Sequence, residues 1–106
     1  MKKYSLEDFT RGWIIGNFEP SLVKTEDFEI GILKHKKNEY WPKHFHKLAD
    51  EYNVLLDGKM SINGELINKN EIFLIEKNET VKPEFLEDCV VLVIKIPSVI
   101  GDKYEV

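Results

Sequence analysis

Two tight-turn dipeptides, Asp57-Gly58 and Asn63-Gly64, sit close together between short apolar runs and confine this part of the chain to β-structure. Both pairs tolerate the positive φ that primed two-residue turns require. The runs they separate, Tyr52 to Leu56, Lys59 to Ile62 and Glu65 to Ile67, are too short for helices and read as a β-meander. The rest of the chain has the same grain. Trp13-Ile14-Ile15, Leu22-Val23 and Phe28 to Leu33 are broken by glycine, proline and asparagine, and no long stretch places apolar residues at helical spacing. Asn68-Lys69-Asn70 turns into Glu71 to Ile75, and Thr80-Val81 leads past Pro83 to Phe85. The last strand, Cys89 to Ile96, is apolar on both faces until Lys95, so the barrel or a partner subunit is expected to cover each side. Only Ser5-Leu6-Glu7-Asp8 suggests a helical turn, capped by the serine. About eight short strands with almost no helix predict an all-β chain closed into a barrel or double-sheet roll, because closure removes exposed edges.

Composition limits what such a barrel can serve. The 106 residues, 42% hydrophobic, suit a single domain with one core. A net charge of −4 with 32% charged residues argues against both disorder and a nucleic-acid surface. The basic run Lys34-His35-Lys36-Lys37 reads as a solvated turn. Glu7 and Asp8 stand where a secretory signal would need apolar residues, and no apolar run is long enough to span a membrane. A cytoplasmic protein is expected. The lone Cys89 lies beside Val90-Val91-Leu92 and reads as a buried small hydrophobe.

The chemistry concentrates between Tyr40 and Gly58. His44 and His46 are one residue apart, which on a strand places both imidazoles on one face, roughly 6.6 Å apart. Glu51 follows, and two imidazoles with one carboxylate are the donor set of a facial metal site with open positions. A one-residue slip in register would present Asp50 in place of Glu51. Parity counted back from His44 puts Tyr40 and Pro42 inside and Trp41, Lys43 and Phe45 outside, so Tyr40 is a candidate pocket wall or proton donor.

The spacing of Asn38, His44, His46, Glu51 and Gly58 resembles the first motif of the cupins, with asparagine in place of the leading glycine. The second cupin motif aligns on Asn70, Glu76, Asn78, Val81 and Phe85, with Asn70 and Asn78 again standing for glycine. The likeness covers residues 28–96. It implies a single-domain cupin-type β-barrel, the double-stranded β-helix or jelly roll, with 1–27 as an arm with the first strands and 97–106 as a tail. It also implies one divalent transition metal, Fe, Mn, Zn or Ni, held by His44, His46 and Glu51. Val81 stands at the usual fourth-ligand position, where it cannot coordinate, and Glu79 and Lys82 flank it as candidates to reach the cavity; Glu79 is a candidate acid or base. A homodimer is the usual state implied. Gly12-Trp13, Gly16 to Ser21 and Gly101 to Tyr104 look like segments of small stand-alone cupins, which points to a sugar or sugar phosphate as ligand. The resemblance leaves two functions open: a metal-dependent isomerase, lyase or oxygenase, or a non-catalytic ligand-binding or accessory barrel.

Overall fold

Short β-branched and aromatic runs, each closed by a turn residue, form eleven strands and two single 3-10 turns in a computed structural model that describes residues 1–106. The strands are β1 (Trp13–Gly16), β2 (Val23–Lys24), β3 (Glu29–His35), β4 (His44–Phe45), β5 (Asp50–Asp57), β6 (Lys59–Ile62), β7 (Glu65–Asn68), β8 (Ile72–Ile75), β9 (Pro83–Phe85), β10 (Cys89–Ile96) and β11 (Tyr104–Glu105). Ser5 caps the first 3-10 turn, Leu6–Asp8, through the expected reciprocal box with Asp8. No helix is long and apolar enough to cross a membrane.

Six strands form one sheet in the order β2-β1-β3-β10-β5-β8, three form a second in the order β7-β6-β9, and β4 pairs with β11. All ladders are antiparallel except β1 with β2. Leu55, Met60, Ile67, Phe85, Cys89, Val91 and Val93 fill the space enclosed by the large sheet and the three-stranded one, and Trp13, Leu33, Trp41, Ile62 and Phe73 pack around them. Cys89 is free and buried as expected, and burial pushes its thiol pKa up.

The expected meander is only half present. Asn63-Gly64 does make a two-residue hairpin, with φ of 52° and 82° and Ile62 opposite Glu65. Asp57-Gly58 does not, because β5 lies in the large sheet and β6 in the small one, so the pair turns the chain from one layer into the other. Gly58, at φ 93°, packs against the start of β10, and a Cβ there would lie 2.2 Å from the Asp88 carbonyl oxygen. Asn38, Asn70 and Asn78 take φ of 64°, 71° and 68°, so each performs the turn that glycine would otherwise supply.

Along β10 the two faces have different fates. Cys89, Val91 and Val93 point into the core. On the other face Ile94 lies opposite Ile30 and Tyr52, Tyr52 opposite Leu74, Leu92 opposite Ile32 and Val54, and Val54 opposite Ile72. These two apolar rows form the outer face of the sheet, half-buried on β3 and β10 and open to solvent toward β8. Ile72 is 76% exposed.

The two glycine turns separate strain from collision. Gly64→Ala, with nothing within 4 Å of its added Cβ, is expected to cost about 1 kcal/mol from positive φ alone. Gly58→Ala is expected to cost at least about 3 kcal/mol, since the Asp88 backbone must also shift. Urea unfolding of both variants measures the difference, and equal losses would contradict the layer-crossing role of Gly58.

Candidate functional site

Strand alternation carries a line of polar residues into one end of the barrel. On β5, Glu51, Asn53 and Leu55 share the inner face, and Asn53 is 2% exposed. Glu51 faces inward, whereas the Asp50 carboxylate accepts the Lys77 backbone N–H at 2.8 Å. His44 and His46 are both buried, with ring centroids 5.5 Å apart at 75°. The His44 backbone exchanges two hydrogen bonds with Val81, at 3.0 and 2.8 Å, so the valine of the fourth-ligand position stands directly opposite His44.

The histidines differ in their surroundings. His44 Nδ1 lies 2.8 Å from the Pro42 carbonyl oxygen, which can only accept, so Nδ1 donates in this hydrogen bond and Nε2 is left free of it. Burial, then the nearby Lys95 and His44, lower the His46 pKa from 6.5 to about 4, so at neutral pH it is an uncharged imidazole. Its Nδ1 is 3.6 Å from Glu51 Oε2, too long for a hydrogen bond. The three sequence candidates for metal binding therefore lie next to one another, two imidazoles and one carboxyl group. They do not close around an ion: no group of three or more His, Cys, Asp or Glu side chains has the arrangement of a metal site.

Tyr40 and Glu79 are not brought to this place. Tyr40 is 77% exposed, and its ring faces the Lys82 ammonium at 4.3 Å. Parity fails because β4 begins only at His44, and the chain before it is irregular after the positive-φ turn at Asn38. Trp41, expected outside, packs on the core instead, its indole N–H donating to Glu39 Oε2 at 2.6 Å. Glu79 closes its own exposed turn, where its Oε1 accepts the Glu76 N–H at 3.1 Å. Lys82 donates to the Trp41 carbonyl and does not enter the cavity.

Three residues that the sequence did not mark as site residues complete the site. Asp102, 7% exposed, accepts the backbone N–H groups of Lys47 at 2.9 Å, Leu48 at 3.0 Å and Ala49 at 3.0 Å, fixing the loop from His46 to Glu51. Glu29 opens β3 and is 9% exposed; burial pushes its carboxyl pKa above 4.5, and it has no hydrogen bond. Lys95 lies opposite both Glu29 and Glu51 in the ladders of β10. Its position was legible, since it shares the parity of Cys89, Val91 and Val93. Asp102 had no such signal, because its partners lie more than fifty residues away in the chain.

No protein-family model matches the sequence, and no curated protein matches it. Solved structures match the fold. An uncharacterized conserved protein with a double-stranded beta-helix domain from Klebsiella pneumoniae is 12% identical, with a TM-score of 0.70 over 98% of this chain and 90% of that one. A cupin-2 domain containing protein from Shewanella frigidimarina is 21% identical, with a TM-score of 0.55 over 68% of this chain and 72% of that one. A bacterial pirin from Escherichia coli, in complex with nickel(II), is 17% identical, with a TM-score of 0.67 over 83% of this chain and 39% of that one. The chain has the cupin fold, an all-β jelly-roll barrel.

Two outcomes follow from this geometry. The unfolded chain binds a proton on His46 below pH 6.5 that the folded chain refuses until about 4. Stability relative to His46→Gln is therefore expected to fall by about 3 kcal/mol as pH drops from 6.5 to 4, and to stay level below that. Denaturant melts of both proteins across this range measure it; a constant difference would place His46 in contact with water. Asp102→Ala is expected to cost about 2–4 kcal/mol and to expose the Lys47, Leu48 and Ala49 amides to hydrogen exchange. Unchanged protection at those amides would remove the carboxylate from its role.

Proposed function

We propose that this protein is a small cupin that holds one divalent metal ion through His44, His46 and Glu51 and receives a sugar-like small molecule in its barrel. The observation that carries the reading is the buried pair of imidazoles, one oriented by the Pro42 carbonyl and the other uncharged at neutral pH, beside the Glu51 side chain. A metal-ligating histidine commonly donates its other ring N–H to a carbonyl in this way, which leaves His44 Nε2 as the coordinating atom. The nickel(II) in the pirin complex supports nickel among the candidates Fe, Mn, Zn and Ni. When bound, the metal supplies Lewis acidity toward ligand oxygens.

The chain's own residues have separable duties in this scheme. Asp102 holds the loop that spaces His46 from Glu51. Val81, 1% exposed, closes the side opposite His44 with hydrocarbon and leaves a coordination position without a protein donor. Lys95 stands opposite Glu51 in the ladder between β10 and β5, at the edge of the same site.

A non-catalytic ligand-binding or accessory barrel is the second reading. It is favoured by Val81 and by the absence of a closed three-donor set. Calorimetric titration of untagged protein with nickel(II) separates the two. One site per chain, weakened at least tenfold by His46→Ala and by His44→Ala, is expected for the metal centre. No saturable binding, or binding indifferent to both substitutions, would overturn it and leave the accessory barrel.

A further inference from the structure

The polar row on the inner face of the large sheet has a pattern that metal binding does not explain. Lys95 on the central strand β10 lies opposite Glu29 on β3 and opposite Glu51 on β5, so carboxylate, ammonium and carboxylate alternate across three strands. Neighbouring strands are about 4.8 Å apart, which sets the spacing of the row. Glu29 is 9% exposed and has neither a hydrogen bond nor an ion pair within the chain. Every side-chain polar atom sealed from solvent does have a partner, so the Glu29 carboxyl oxygens, which have none, keep a small contact with solvent. With no donor from the chain, this carboxyl group takes its hydrogen bonds from water or from a ligand that displaces that water.

The surroundings describe what could. Gly31 shares the inner face of β3 with Glu29, and the Trp13 ring lies across it; a Cβ at Gly31 would fall 2.7 Å from that ring. The Lys95 ammonium is 5.2 Å from the centre of the same indole. An aromatic plane thus stands beside an acceptor, a donor and a second acceptor. A bare anion attracted to Lys95 meets a carboxylate on either side, and a bare amine attracted to Glu29 meets the ammonium. A neutral ligand with adjacent hydroxyls meets neither conflict, because each hydroxyl both donates and accepts. Its C–H face can lie on the indole.

We propose that Glu29 and Lys95, with Trp13 as a wall, form a subsite that binds adjacent hydroxyl groups of a neutral, polyhydroxylated ligand. This deepens the sugar-like reading above and rests on it only in taking the barrel interior as the ligand's place; it does not require the metal. Within that reading it selects the neutral sugar part, and not a phosphate, as the portion bound at this wall. The raised Glu29 pKa agrees with a site that lacks its hydrogen-bond donor until the ligand arrives.

Saturation-transfer NMR on the full chain tests the subsite, with D-glucose, D-galactose and D-mannose as probes and methyl phosphate and methylamine as controls. Titrations are run on metal-free and on nickel-treated protein. At least one of the sugars is expected to bind, with Trp13 fluorescence changing on titration, and Glu29→Gln and Lys95→Met are each expected to weaken it tenfold or more. Glu84→Gln, on the far sheet, is expected to bind as the wild type does. Glu29→Gln removes a buried unpaired charge, so its melting temperature at pH 7 is expected to equal or exceed that of the wild type, and Lys95→Met reads the same row independently. Absence of binding by all three sugars, sugar binding unchanged in both variants, or tighter binding of methyl phosphate or methylamine than of any sugar would overturn the subsite. One nickel per chain together with variant-insensitive sugar binding would sink the subsite and leave the metal reading standing. Variant-sensitive sugar binding without nickel uptake would do the reverse.

Discussion

A single carboxylate near the C-terminus organises the chemistry of this barrel. Asp102 gathers the N–H groups of three successive residues, Lys47, Leu48 and Ala49, in a setting where water is nearly excluded. Backbone amides in an irregular loop have no ladder to satisfy them, and a buried charge needs donors, so each side meets the other's requirement. The loop so held begins at His46 and ends where β5 carries Glu51 inward. The same terminal segment pairs Tyr104 with Phe45 and Glu105 with His44, and Tyr104 stacks on Phe45 at 5.5 Å. The segment read from sequence as a tail is therefore the brace that spaces the two histidines from the carboxylate.

The barrel interior divides by polarity along its axis. Toward one end Leu55, Met60, Phe85, Val91 and Val93 pack as an ordinary apolar core. Toward the other, the same strands present Glu29, Lys95, Glu51 and Asn53, joined by the two histidines. Two residues farther along a strand is enough to pass from one region to the other, as Val93 to Lys95 does. A stable core and a row of partly buried polar groups thus share a sheet, the apolar half contributing the stability that the polar half takes away.

The asparagines show how one chain can keep a fold while changing its letters. Asn38, Asn70 and Asn78 occupy left-handed conformations at turns where the cupin pattern has glycine or a turn residue. Asparagine tolerates that region because its short side chain can hydrogen-bond locally. Valine in place of a fourth ligand is a different kind of change, since no conformation lets a hydrocarbon coordinate. The fold survives both changes, whereas the second leaves any metal centre with three protein donors at most.

Much of this was legible from residues alone. The period-two runs and the Asn63-Gly64 hairpin determined an all-β chain, and the spacing of His44, His46 and Glu51 identified residues that do share one place. Local rules reached that far because strand alternation and turn conformation depend on neighbours in sequence. They failed where the partner is distant or the strand stops. Tyr40 escapes inward parity because the strand begins after it, and Asp57-Gly58 changes layers because Gly58 must pass beneath the Asp88 carbonyl. Glu29, Lys95 and Asp102 enter the site only through registers and contacts that span the whole chain. Sequence by itself determined most of the strands and the donor set; tertiary structure alone decided which charges face each other across the large sheet, because burial and cross-strand register belong to the closed sheet and not to any segment of it.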